Sequence, residues 1–149
     1  MNSKTLNGKD LQADGSTTIV CLCGSSSQKA DFEAAEYREV LAGKIVLTLN
    51  IFSSSDEIDL SDLELELITD LHFDKIKMAH EILVILKPDP TGRLKYDKRV
   101  GASTCIEIGY ALGKDKIVNY FDASACSNCA VVSTDEIRCD DKYRRVLKL

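Results

Sequence analysis

The chain has 149 residues, of which 44% are hydrophobic and 29% are charged, and its formal net charge is -5. This composition is typical of one globular domain. The acidic balance, with no run of Lys or Arg, argues against binding to a nucleic-acid polymer. No apolar stretch approaches the roughly 18 residues that span a bilayer, so no membrane association is expected.

Residues 1–16 lack the apolar core of a secretory signal, and we interpret them as a disordered leader. We therefore expect a cytoplasmic protein whose thiols stay reduced.

Strand-like and helix-like segments alternate along the rest of the chain. Short β-rich or apolar runs predict four strands, at residues 17–24, 44–52, 81–88 and 116–121. Apolar residues at helical spacing predict three helices, within 26–43, over about 60–79 and from 102 onward. The predicted buried stripe of the middle helix consists of Leu63, Leu67, Leu71 and Ile76.

This alternation predicts an α/β fold of the Rossmann or flavodoxin type, with three layers and a parallel sheet of four or five strands. Residues 17–122 form the predicted domain. In the tail, residues 123–149, "AVV" is a candidate edge strand and "RRVLKL" a candidate short helix. The tail is expected to pack on the same domain or on a dimer partner.

Ligands of open parallel sheets bind beyond the carboxyl ends of the strands, where helix N-termini point their N–H groups. Two small, hydroxyl-rich turns belong to that edge, "CGSSS" at 23–27 and "GASTC" at 101–105. Neither matches a dinucleotide or P-loop motif, so no cofactor is predicted. The turns suit one phosphate or one sugar, although simple helix capping explains them as well.

Glu107 follows the second turn on the last predicted helix. Residues 102, 105, 106, 109 and 112 form the predicted apolar face of that helix, with Glu107 beside it. No Lys or Arg stands three or four residues away to pair with this carboxylate. The helix dipole should favour the anion, which suits a nucleophile better than a proton donor. A solvated surface carboxylate remains the alternative.

The cysteines and histidines do not predict a metal site. Cys21, Cys23 and Cys105 are interpreted as small buried apolar residues. His72 and His80 lie in no HxxxH or HxxE pattern. The tail carries Cys126, Cys129 and Cys139. These cysteines are interpreted either as loosely packed thiols or as part of a zinc site or redox pair.

Five segments in order resemble the nucleoside 2-deoxyribosyltransferase superfamily, including its 2′-deoxynucleoside 5′-phosphate N-hydrolase branch. They are a strand leading into "CGS" (23–25), "AGKIVLTLNIF" (42–52), "DLHFDKIKMAHEILVIL" (70–86), the turn "GAST" (101–104) and "EIGYALGKDK" (107–116). The resemblance covers about residues 17–122, and its ordered set is more specific than any single motif.

The resemblance implies cleavage or transfer at the N-glycosidic bond of a (deoxy)nucleoside or nucleoside 5′-monophosphate. Glu107 matches the catalytic glutamate that attacks C1′ and forms a glycosyl-enzyme intermediate. Cys23, Gly24 and Ser25 match the sugar-binding turn. Gly101, Ser103 and Thr104 match the region that holds the 5′ end or its phosphate. Family members are often homodimers.

Two positions depart from the pattern of the family. Cys21 stands where a tyrosine is frequent, and His72 stands where an aspartate is usual, with Asp74 two residues on. We expect His72 or Asp74 to assist Glu107 as an acid–base group or through a hydrogen bond. The alternative function is a non-catalytic nucleotide-binding sensor or partner module with the same pocket.

Overall fold

A computed structural model describes residues 4–52, 58–89, 91–95, 98–123 and 131–133. The strands within them are β1 (Lys4–Leu6), β2 (Lys9–Leu11), β3 (Ile19–Cys23), β4 (Ile45–Leu47), β5 (Glu81–Ile85), β6 (Ile117–Phe121) and β7 (Val131–Ser133). The helices are α1 (Lys29–Leu41), α2 (Asp62–Met78) and α3 (Ala102–Gly113). None of these helices has the length and apolar character needed to cross a membrane.

The main sheet has the order β4-β3-β5-β6-β7. Its first four strands are parallel and β7 pairs antiparallel with β6. If the four parallel strands alone are numbered along the chain, their order across the sheet is 2-1-3-4, as in flavodoxin-like folds. The direction in which successive strands are added to the sheet reverses between β3 and β5. The predicted α/β fold and its parallel sheet are confirmed. The candidate edge strand is β7, and "RRVLKL" lies outside the described residues.

The helices cover both faces of the sheet, because side chains alternate between the faces of a strand. Cys21 and Cys23 of β3 share a core with Ile76 of α2 and with Ile108 of α3. Val20 and Leu22 point the other way and pack with Phe32 of α1. The result is a three-layer arrangement in which α1 lies on one face and α2 with α3 on the other.

The predicted buried stripe of α2 is largely wrong. Leu63, Leu67 and Leu71 are 79%, 57% and 49% exposed, whereas His72 and Ile76 are buried. Residues 61–67 are all exposed, so no layer among the described residues covers the first turns of α2. Periodicity identifies an apolar face, but only the neighbouring layers decide which face becomes buried.

The predicted apolar face of α3 is also wrong. Thr104, Ile108 and Ala111 are buried at helical spacing, and Ile106 is 63% exposed. Because Glu107 is one residue from Ile108 and three from Thr104, it stands beside the buried face. This rotation of α3 carries the carboxylate inward rather than toward solvent.

The predicted disordered leader is wrong for residues 4–16. Strands β1 and β2 form a hairpin whose turn residues Asn7 and Gly8 have positive φ values of 54° and 82°. Asn-Gly with two positive φ values is a signature of a two-residue hairpin turn, and this signal was missed. The hairpin is attached to the domain, since the backbone N–H of Asp10 donates to the carbonyl of Gly43 at 2.9 Å.

Candidate active site

A cavity of about 500 Å³ opens at the carboxyl ends of β3 and β5, between α2 and the N-terminus of α3. This is the switch point where ligands of such sheets bind. Seven predicted site residues line it: Gly24, Ser25, His72, Gly101, Ser103, Thr104 and Glu107. Side chains that were not predicted complete the wall, among them Leu65, Ile68, Phe73, Lys87 and Ile106.

Two predicted site residues do not line the cavity. Cys23 is fully buried at the end of β3, directly before Gly24, and its thiol interacts with the carboxyl group of Glu107. Asp74 is exposed on α2. It follows His72 by two residues, about 200° around the helix, so the two side chains leave on different faces. Asp74 therefore has no place in the site.

His72 and Glu107 meet at the cavity wall. Their Nε2 and Oε2 atoms are 3.5 Å apart, and the side chains are 5% and 15% exposed. Neither ring nitrogen of His72 has a hydrogen-bond partner among the described residues, and the same holds for Oε1 of Glu107. All three atoms are buried, and an unsatisfied buried polar atom costs about 1–3 kcal/mol. The site thus keeps polar groups that the fold itself does not satisfy.

Burial sets the protonation of both groups. It raises the pKa of Glu107 to about 7, and the interaction with Cys23 opposes the rise. Burial, with a smaller contribution from the charge of Lys75, lowers the pKa of His72 to about 4. Between these two values both side chains are neutral, so their contact is not an ion pair.

The expectation that the helix dipole would favour the Glu107 anion is therefore wrong. Glu107 is the sixth residue of α3. The influence of a helix terminus falls off within the first turn, whereas loss of solvent acts at full strength on a buried carboxyl. Near pH 7 the site holds Glu107 partly as the acid and partly as the carboxylate.

The mouth of the cavity is electropositive. Gly101 is the N-cap of α3, and no acidic residue lies in the first turn. The Nζ atom of Lys87 comes within 3.4 Å of the position that a Cβ on Gly101 would occupy. A helix N-terminus and an ammonium group on one wall favour an anion such as a phosphate. Lys87 was missed because the sequence shows only an isolated lysine after a strand.

A buried ion pair holds the segment between β5 and α3. The guanidinium of Arg99 donates two hydrogen bonds to the carboxylate of Asp122, at 2.6 and 2.5 Å. Its Nε donates to the carbonyl of Lys87 at 2.8 Å. Arg99 therefore links the end of β6 to the backbone of Lys87. This link fixes the position of the Lys87 backbone, from which its side chain extends.

Gly24 is required by close packing. A Cβ at this position would lie 3.0 Å from the Cβ of Ile85 and 3.1 Å from the ring of Phe32. The chain can turn from β3 into the cavity wall at this point only because no side chain is present. This is a physical reason for the glycine in "CGS".

Cys21, Cys23 and His72 form a buried cluster that sequence reasoning missed. One potential ligand atom from each residue lies within 4.8 Å of the others. The spacing of the two cysteines places both thiols on one face of β3. No sequence motif links the histidine to these cysteines, because α2 brings it there from about 50 residues away.

No protein-family model and no curated protein matches this chain.

Proposed function

We propose that this protein cleaves or transfers the N-glycosidic bond of a (deoxy)nucleoside or nucleoside 5′-monophosphate, as its resemblance to the nucleoside 2-deoxyribosyltransferase superfamily implies. The observation that carries the proposal is the carboxyl group of Glu107 in a cavity with an electropositive mouth. The resemblance further implies a homodimer, and we propose a cytoplasmic location on the grounds given in the sequence analysis.

The proposed reaction has two displacements at the anomeric carbon. The Glu107 carboxylate forms a bond to C1′ while the C1′–N bond breaks, and the base leaves with the electron pair and takes a proton from water. Water then attacks C1′, loses its proton to solvent, and releases the carboxylate. A second base in place of water gives transfer instead of hydrolysis. The raised pKa of Glu107 makes the carboxylate a minor species below about pH 7.

The cavity supports this chemistry beyond the nucleophile. Its apolar wall, which includes Leu65, Ile68 and Phe73, suits a planar base. Lys87 and the N-terminus of α3 suit a 5′-phosphate. A phosphate at the mouth would hold the sugar at a fixed distance from Glu107, which raises the fraction of productive encounters.

The direct test is incubation of purified protein with a panel of nucleosides, deoxynucleosides and their 5′-monophosphates, with chromatographic detection of free base. We expect release from at least one substrate, and loss of release in Glu107→Gln. Trapping with a 2-fluoro-substituted nucleoside should add the mass of one sugar to Glu107. Failure of the wild-type protein to release any base would contradict the enzymatic proposal.

A second candidate is a non-catalytic nucleotide-binding module. The neutral state of His72, whose pKa is about 4, favours it, because a neutral imidazole cannot assist departure of the base as the imidazolium acid. In this case a nucleoside monophosphate would raise the melting temperature with no product. Glu107→Gln would then bind that ligand as tightly as the wild-type protein.

A further inference from the structure

We propose that Cys21, Cys23, His72 and Glu107 form a binding site for Zn²⁺ or a similar borderline-soft divalent cation. The proposal concerns metal affinity and stands whether or not the cavity cleaves nucleosides. It rests on the composition of the cluster, on its distances and on the unsatisfied nitrogens of His72.

The donor set is one that zinc prefers. Two thiols, an imidazole and a carboxyl group supply the S, N and O atoms found in tetrahedral zinc sites. Cys21, Cys23 and His72 are all buried, with Cys21 and Cys23 at 0% exposure. A buried site of this kind excludes the competing water ligands that hard cations such as Mg²⁺ retain.

The distances are close to those of a tetrahedral site. With ligand bonds of about 2.0–2.3 Å, neighbouring ligand atoms of a tetrahedron are separated by about 3.4–3.8 Å. The Nε2 of His72 and the Oε2 of Glu107 are 3.5 Å apart. The ligand atoms of Cys21, Cys23 and His72 lie within 4.8 Å of one another. Because the 4.8 Å limit exceeds the tetrahedral separation, metal binding would draw these side chains toward one another.

The two ring nitrogens of His72 supply an independent observation. Both are buried and neither has a hydrogen-bond partner among the described residues. A histidine that served only to fill the core would leave at least one nitrogen unsatisfied at a cost of about 1–3 kcal/mol. A cation bound to one nitrogen satisfies it directly. Oε1 of Glu107 is also buried without a hydrogen-bond partner among the described residues, and Oε2 of the same carboxyl group lies 3.5 Å from His72.

Binding of the cation releases protons to solvent. One Zn²⁺ enters, the two thiols of Cys21 and Cys23 lose one proton each to solvent, and neutral His72 contributes a lone pair. A protonated Glu107 also loses its proton to solvent, and its carboxylate then takes the fourth position. The glycine turn at Gly24 and the cavity beside Glu107 give the ion a route from solvent.

The test must separate this site from the tail cysteines. Cys126, Cys129 and Cys139 are replaced by serine in the full chain, and the reduced, metal-free protein is titrated with Co²⁺. We expect one equivalent to bind, with thiolate-to-cobalt charge transfer in the near ultraviolet and d–d bands of tetrahedral intensity. Single Cys21→Ala and Cys23→Ala variants should each weaken binding by at least about tenfold and lower the charge-transfer band. Cys105→Ala is the matched control and should bind as the parent does.

Because the alanine variants can lose structure, a second measurement uses the tail-substituted parent alone. X-ray absorption at the zinc edge should show two sulfur neighbours at about 2.3 Å with nitrogen or oxygen neighbours near 2.0 Å. Absence of stoichiometric binding in that parent overturns the proposal. Zinc neighbours that are only nitrogen and oxygen, or a cobalt spectrum unchanged in the Cys21→Ala, Cys23→Ala double variant, would overturn it too.

Discussion

The imidazole of His72 and the carboxyl of Glu107 lie 3.5 Å apart, and neither is charged between about pH 4 and 7. Their contact joins α2 to α3 across the wall of the cavity. Binding of a proton, a ligand or a cation would relieve the cost of burying these polar atoms without hydrogen-bond partners.

Replacement of Glu107 by Gln should lower base release by at least about a thousandfold, because the amide cannot form the glycosyl ester. The measurement is kcat on the best substrate found in the panel. Asp74→Asn is the matched control, since Asp74 is exposed on α2 outside the cavity. It should change kcat by less than about twofold. A large loss in Asp74→Asn would mean that Asp74 takes part in catalysis despite its position outside the cavity.

Glu107 should make the metal-free protein less stable at alkaline pH. Its folded pKa is raised to about 7, from 4.5. Below about pH 4.5 the group is protonated in both states and costs nothing. As pH rises through 7 the folded state must ionise a buried carboxyl that faces Cys23 on β3, His72 on α2 and a cavity bearing Lys87. The cost at pH 8 is on the order of 3 kcal/mol.

Urea unfolding of Glu107→Gln at two pH values checks this. The variant should exceed the wild-type protein in unfolding free energy at pH 8, and the gain should largely disappear at pH 5. Glu66→Gln on the exposed side of α2 should change stability by less than about 0.5 kcal/mol at both. An equal gain at the two pH values would mean that Gln acts through packing and not through the carboxyl proton.

Lys87→Ala should discriminate between nucleosides and their monophosphates. The ammonium group lies beside the N-terminus of α3, so it should contribute only to a ligand that carries a 5′-phosphate. A charged hydrogen bond contributes about 1.5–3 kcal/mol, so we expect KM for the monophosphate to rise about tenfold or more. Lys98→Ala, an exposed lysine that does not line the cavity, should leave it unchanged. Equal losses on nucleoside and monophosphate would exclude a phosphate contact.

Gly24→Ala should destabilise the protein by about 1–3 kcal/mol, because the new methyl group meets the side chain of Ile85 and the ring of Phe32 at close range. Gly109→Ala is the control within an exposed part of α3, where a Cβ meets nothing within 4 Å. It should stabilise by about 0.4–1 kcal/mol through reduced chain entropy in the unfolded state. Denaturant midpoints measure both, and a neutral Gly24→Ala would show that β3 and β5 can separate at low cost.

Arg99→Met should destabilise by about 3–5 kcal/mol, since it leaves the buried carboxylate of Asp122 without its bidentate partner. Adding Asp122→Leu to this variant should recover most of the loss, because a buried ion pair can be replaced by apolar side chains at little net cost. If the double variant regains stability but not monophosphate affinity, Arg99 also positions Lys87. If the double variant were as unstable as Arg99→Met alone, the loss of stability would come from packing and not from the unpaired charge.

Much of the site was accessible from residue patterns. Glycine and serine turns after apolar strands indicate the ligand edge, and seven of the predicted side chains line one cavity. Two kinds of information were missing. Local periodicity could not tell which face of α2 or α3 is covered, because that depends on neighbouring layers. Nor could it show that Lys87 stands over Gly101, since that contact follows from the path of the segment that Arg99 holds.

What the sequence determined by itself is the order of strands and helices, because period-2 and period-3.6 patterns are local, and with it the parallel α/β class. The tertiary structure decided which polar groups lost water. Rotation of α3 buried Glu107, and α2 carried His72 to the thiols of Cys21 and Cys23. Desolvation acts only on a folded chain, so the pKa values of the site and its candidate metal ligands belong to the fold and not to any motif.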